Sequence, residues 1–166
     1  MEELVALSIS AKDYDPDKSR QLMSWCQKHG ADEWTITATN ARGREQDWPE
    51  CLNEAIKPFR LPGAKRRSLS AQRPISHNNF IRPTELCRLN SKSLSVLDEL
   101  LPDGLFTYKV SGDGGVEDPI FYRRGEFMLG VVSHEHEGIV RVTKAEQRLL
   151  EAEGFKFRRR GSYVGY

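Results

Sequence analysis

Hydrophobic and polar residues follow two different periods in the first forty positions of the chain. Residues 4 to 10 place an apolar side chain at every second position, which is typical of a half-buried strand. Residues 16 to 29 repeat apolar side chains at helical spacing, with Asp15 as a candidate N-cap and Gly30 as a stop. Residues 33 to 40 alternate again, so the pattern predicts a β-α-β beginning.

The same two periods recur in the rest of the chain, apart from most of residues 62 to 92. They predict helices over residues 47 to 59, 93 to 101 and 143 to 153, a short helix within 84 to 90, and strands over 105 to 111, 120 to 124, 127 to 134, 139 to 142 and 155 to 157. Thr143 with Glu146 three residues later forms a capping-box sequence at the start of the last helix.

These elements predict an α+β fold. We expect a mixed, largely antiparallel sheet built from a β-α-β-α beginning and a C-terminal β-meander, with helices packed on the sheet and a capped C-terminal helix. A length of 166 residues is enough to bury one core, so residues 1 to 166 are predicted to form a single domain. Residues 62 to 92 show no sustained period and are predicted to be an irregular connector within it.

Composition places the chain among folded, soluble proteins, with 38% apolar and 30% charged residues. No apolar run is long enough to cross a bilayer, and the beginning of the chain is acidic where a secretory signal would be basic. The three cysteines are widely spaced and are expected to be reduced and mostly buried. We therefore expect a cytoplasmic protein with no membrane partner.

Charge is unevenly distributed, although the net charge is only +1. Residues 55 to 92 hold nine basic side chains and one acidic side chain, a pattern that can neutralise several phosphates. The alternative interpretation is a solvated loop. If nucleic acid is the partner, the candidate binding residues are Lys65, Arg66, Arg67, Arg73, Arg82 and Arg88, joined by Arg158 and Arg159 if the fold brings them close.

The sequence Ser133-His134-Glu135-His136-Glu137-Gly138 concentrates side chains that bind metals or carry protons. If the preceding strand continues through it, His134 and His136 share one face and could hold a divalent metal, with a further carboxylate such as Asp113 or Asp118. The alternative interpretation is a polar turn without chemistry. The sequence predicts no cofactor, with a divalent metal at the two histidines kept as an alternative.

The nucleophile-elbow, zinc-protease and dinucleotide-binding motifs do not occur in this sequence. We therefore favour a non-catalytic protein that binds another protein, in an inhibitor, immunity-type or adaptor role. A nucleic-acid-binding protein and a metal-dependent hydrolase or nuclease centred on His134 and His136 remain the alternatives. The candidate residues of a protein-interaction surface are Tyr108, Tyr122, Glu135, Glu137, Tyr163 and Tyr166.

Overall fold

The computed structural model describes residues 3–39, 50–61, 86–108 and 115–158. Within them the helices are α1 (Pro16–Lys28), α2 (Glu50–Ile56), α3 (Ser91–Leu100) and α4 (Lys144–Ala152). The strands are β1 (Leu4–Ser10), β2 (Glu33–Thr39), β3 (Cys87–Arg88), β4 (Gly115–Arg123), β5 (Glu126–Val132) and β6 (Glu137–Thr143). The predicted α+β fold with its C-terminal meander and capped last helix is confirmed.

The six strands form one sheet in the order β1-β6-β5-β4-β2-β3, and every pairing between these strands is antiparallel. Strands β4, β5 and β6 form the predicted meander, because each pairs with the next along the chain. Strands β1 and β2 lie on opposite sides of this meander and do not pair with each other. Among the strands that the structure describes, β1 and β3 therefore lie at the edges of the sheet.

One face of the sheet carries the helices and the main core. Alternation along the strands directs Ile9, Trp34 and Val140 to this face, where they belong to the same buried cluster as Leu22 of α1 and Leu97 of α3. The opposite face holds a smaller apolar cluster of Leu86, Ile120 and Tyr122. Both faces are covered at the centre of the sheet.

Local capping explains where two helices begin. The Asp15 carboxylate accepts a hydrogen bond from the Lys18 backbone N–H at 2.7 Å, as the sequence predicts. At α4, the Thr143 hydroxyl accepts from the Glu146 N–H, and the Glu146 carboxylate accepts from the Thr143 N–H, which is the predicted capping box.

The predicted C-terminal boundary of the connector, residue 92, is wrong, because residues 86 to 92 belong to the folded elements. Cys87 and Arg88 pair with β2, where a short helix was predicted, and Asn90 caps the α3 helix. Leu86, Cys87 and Leu89 are buried. The remaining connector, residues 62 to 85, lies outside the described residues.

Two predicted strands also differ from the structure. Residues Gly104–Phe106 form a short 3-10 helix whose apolar side chains are buried, so the strand over 105 to 111 is wrong in its described part. Residues 155 to 157 do not form the predicted strand; the next residue, Arg158, makes a single bridge in which its N–H donates to the Ser8 carbonyl at 2.8 Å. None of the described helices is long and apolar enough to cross a membrane.

Candidate functional site

The turn between β5 and β6 departs from the extended chain that the sequence predicts. Strand β5 ends at Val132, residues Ser133–Glu135 form a 3-10 turn, and His136 is left-handed with φ 57°. The prediction that His134 and His136 share one strand face is therefore wrong, because a helical turn separates the two rings. His136 is exposed, and its carbonyl accepts a hydrogen bond from the Ala11 N–H at 3.0 Å.

Two carboxylates from β4 lie beside this turn because β4 contains a bulge. Thr35 pairs with Ile120 and Thr37 pairs with Glu117, so two residues of β4, Asp118 and Pro119, lie opposite one residue of β2. Asp118 also has a left-handed backbone, with φ 56°. In a regular strand consecutive side chains point to opposite faces. Here the bulge directs the carboxylates of both Glu117 and Asp118 toward the turn.

Asp118 and Ser133 hold the bulge and the turn together. The Ser133 N–H donates to the Asp118 carboxylate at 2.7 Å, and the Asp118 N–H donates to the Ser133 hydroxyl at 2.9 Å. Both residues are buried, with 3% and 0% exposure. This reciprocal pair fixes the position of His134, the next residue in the chain.

His134 lies between a buried and an exposed carboxylate. Its Nδ1 is 3.8 Å from Oε2 of Glu117, whose side chain is 3% exposed, and its Nε2 is 3.9 Å from Oε1 of Glu135. One ligand atom each from Glu117, Asp118 and His134 lies within 4.8 Å of the others. We call these three residues the acid-histidine cluster. Such a mixed oxygen and nitrogen set is a typical arrangement for a divalent transition metal.

A buried threonine adjoins the acid-histidine cluster. Thr37 lies directly opposite Glu117 in the antiparallel register, so the two side chains share one face of the sheet. Thr37 is 1% exposed, and within the described structure its hydroxyl has no hydrogen-bond partner. A buried hydroxyl usually has a partner, so a polar ligand beside Thr37 would satisfy this group.

The predicted interaction residues fall into three groups: those exposed near the turn, one that is buried, and two outside the described residues. Tyr108 is exposed and its ring centroid lies 6.0 Å from that of His134, although the two residues are 26 positions apart in the sequence. Glu135 and Glu137 are exposed on the same turn. Tyr122 is buried at 1% exposure and does not lie on the surface, contrary to the prediction. Tyr163 and Tyr166 lie outside the described residues.

The described basic candidates lie at opposite ends of the sheet. Arg88 is exposed on β3, whereas Arg158 adjoins β1 and its guanidinium is 3.2 Å from the Asp13 carboxylate. Five inter-strand steps separate these edges, or about 24 Å at the usual spacing of about 4.8 Å. The fold therefore does not bring Arg88 and Arg158 together. The other basic candidates, Lys65, Arg66, Arg67, Arg73, Arg82 and Arg159, lie outside the described residues.

Sequence reasoning named Asp118 and His134 but missed Glu117. The available signal was the sequence Glu117-Asp118-Pro119 inside an otherwise apolar strand, because proline within a sheet marks an edge or a bulge. Asp113, the other carboxylate considered, lies outside the described residues.

Comparisons with protein-family models, with curated proteins and with solved structures found no match to this chain. One fold can carry many functions, so the site and not the fold indicates what this chain does.

Proposed function

We propose that the chain is a small, non-catalytic cytoplasmic protein that binds a basic segment of another protein. The binding surface consists of Tyr108, His134, Glu135 and Glu137, which we call the turn surface. The observation that carries the proposal is the exposed Tyr108 ring, packed beside His134 and next to two exposed carboxylates.

Tyr108 has the properties of an interface anchor. Among the described residues, the exposed large hydrophobic side chains are Leu4, Tyr108 and Leu149, and Tyr108 is 44% exposed. Its ring lies 6.0 Å from the His134 ring at an angle of 49°, a contact that favours one orientation of the tyrosine before a partner binds. A tyrosine that is already oriented loses little conformational entropy on binding and supplies a large contact area.

The charges of the turn surface favour a cationic partner. Glu135 and Glu137 are both exposed, and Glu135 remains 45% exposed despite its contact with His134. Complementary charges increase the association rate and select the partner, and their effect weakens with salt. The same carboxylates would repel a phosphate backbone, so the turn surface supports a protein partner over nucleic acid.

A reducing compartment is consistent with the thiols of the core. Cys26 and Cys87 are both buried, and burial raises the pKa of the Cys26 thiol well above its usual range. A protonated, inaccessible thiol is unreactive and suits a cytoplasmic protein.

The experiment compares three variants in affinity capture from the source cell, followed by binding measurements with the purified partner. Tyr108→Ala, and separately the double change Glu135→Lys with Glu137→Lys, should each remove the same captured protein. Tyr108→Ala should raise the dissociation constant by about 30-fold or more, as expected for loss of an interface hot spot.

Leu149→Ala is the matched control, because Leu149 is an apolar side chain of similar exposure, 52% against 44% for Tyr108, and lies on α4 away from the turn surface. It should leave binding unchanged, and circular dichroism should show all variants folded. Equal capture of the same proteins by wild type and Tyr108→Ala would contradict the proposal. Affinity that is insensitive to the charge reversals would exclude the basic partner.

A further inference from the structure

We propose that Glu117, Asp118 and His134 bind a divalent transition metal ion of the Zn²⁺ or Mn²⁺ type. This inference does not depend on the proposed protein partner. It also replaces the histidine pair suggested by the sequence, because His136 lies outside the cluster.

The geometry of the cluster is close to that of a three-ligand site. The three ligand atoms lie within 4.8 Å of one another. Ligands bonded to one ion at about 2.0–2.2 Å typically lie about 3–3.5 Å apart, so binding requires the widest separation to shorten by about 1.5 Å. The His134 side chain is 41% exposed and can move toward the carboxylates, whereas the Glu117 side chain is only 3% exposed and lies on the central sheet.

The second observation is the buried hydroxyl of Thr37. It lies opposite Glu117 on the same face of the sheet and, within the described part of the chain, has no hydrogen-bond partner. A metal-bound water at the cluster would supply one. Water bound at the cluster would therefore satisfy a buried polar group that the described residues leave without a partner.

The donor atoms select the class of ion. One imidazole nitrogen with two carboxylates suits Zn²⁺, Mn²⁺ and related ions, whereas Mg²⁺ and Ca²⁺ prefer oxygen donors alone. Three protein ligands leave at least one coordination position for water, and the exposed edge of His134 gives that position access to solvent. The Ser133 N–H donates to Oδ1 of Asp118 and thereby orients this ligand, as outer hydrogen bonds do in metal sites.

The test uses the full chain without a polyhistidine tag, treated with a chelator and dialysed. Binding of MnCl₂ is followed by the loss of the free Mn²⁺ signal in electron paramagnetic resonance, and binding of ZnCl₂ by calorimetry. We expect one ion per chain and a rise in Tm of about 5–10 °C at an ion concentration of 100 times Kd. MgCl₂ and CaCl₂ at the same concentrations should produce no comparable shift.

The variants separate this site from incidental binding by surface histidines. Glu117→Gln and His134→Ala should each weaken binding by more than about tenfold, since even outer-shell changes commonly cost that much. His136→Ala is the matched control, an exposed imidazole two positions away, and should bind as wild type does. His134→Ala changes an exposed side chain, so its fold should survive even if Glu117→Gln is destabilised.

Two results would overturn the proposal. One is the absence of Mn²⁺ and Zn²⁺ binding by the folded wild type. The other is binding that His136→Ala abolishes while Glu117→Gln and His134→Ala leave it intact, which would show an adventitious surface site. Tyr108→Ala should retain metal binding, so the test is independent of the protein partner.

Discussion

An ion pair between Arg123 and Glu146 connects the end of β4 to the first turn of α4. Nη1 of Arg123 lies 2.5 Å from Oε1 of Glu146, and the two side chains are 23% and 17% exposed. Arg123 also donates to the His29 carbonyl at 3.2 Å, and Glu146 accepts from the Thr143 N–H at 2.8 Å. We predict that Arg123→Met, which keeps the aliphatic stem, substantially destabilises the protein.

The magnitude follows from the burial of the pair. Exposed ion pairs contribute about 0–1 kcal/mol, whereas breaking a fully buried pair costs about 3–5 kcal/mol. About four-fifths of each side chain is covered, so we expect Arg123→Met to lower the free energy of unfolding by about 2–3 kcal/mol. For a chain of this length that corresponds to a fall in Tm of about 5–10 °C.

A double-mutant cycle isolates the pair from other effects. The second variant is Glu146→Gln, because glutamine retains an oxygen that can accept from the Thr143 N–H in the capping box. Urea unfolding, followed by tryptophan fluorescence, should give a coupling energy of about 1–2 kcal/mol between the two changes. A coupling below about 0.5 kcal/mol at low salt would refute the reasoning, since that value is typical of an exposed pair.

The pH dependence provides an independent check of the same pair. Burial raises the pKa of the Glu146 carboxyl, but hydrogen bonds from Arg123 and Thr143 outweigh burial and hold this pKa below its usual value. A lowered pKa in the folded state stabilises the protein above the unfolded pKa of about 4.3, and this contribution disappears as pH falls through the folded value. The stability difference between wild type and Glu146→Gln should therefore narrow below about pH 4.3. A difference that stays constant on acidification would contradict this assignment.

Two further predictions concern local geometry. Gly104→Ala should destabilise the protein by at least about 2 kcal/mol, because its φ is +79° and the added Cβ would lie 2.5 Å from Cβ of the buried Ser19. Gly154→Ala, with nearly the same φ of +80° but no atom closer than 3.7 Å, should cost only about 1 kcal/mol. Equal losses in urea unfolding would show that steric overlap at Ser19 is unimportant. Thr143→Ala should lower the free energy of unfolding by about 1 kcal/mol, because the capping box is lost. Thr143→Ser should retain most of this stability, since serine keeps the hydroxyl. Equal losses for the alanine and serine variants would show that the hydroxyl does not stabilise the helix.

The parts of the fold that the sequence predicts correctly are those set by neighbours in the chain. The Asp15 cap and the Thr143 capping box involve residues three positions apart, so the sequence alone contains both partners. Residues 87 and 88 were expected to be helical, yet they pair with Glu33 and Trp34, more than fifty positions earlier. Pairing with a distant strand overrode local preference, and no local pattern could reveal it.

The candidate site was only partly predictable for the same reason. The composition of residues 133 to 138 indicates His134 as a candidate ligand, but the choice of His136 as its partner assumes that the strand continues. The 3-10 turn at Ser133–Glu135 ends that alternation before His136. Glu117 lies 17 positions before His134, and the pairing of β4 with β5 together with the bulge in β4 places it at the turn.

The bulge in β4 gives the site one rigid side and one adjustable side. Without the extra residue, Glu117 and Asp118 would lie on opposite faces of the sheet, and at most one of them could reach His134. With it, Glu117 is fixed by the central strands and Asp118 by its reciprocal hydrogen bonds with Ser133, while His134 stays partly exposed. His134 is therefore the ligand of the proposed site that can adjust its position to an ion. The same ring supports Tyr108, so an ion that draws His134 inward would also shift the anchor of the turn surface.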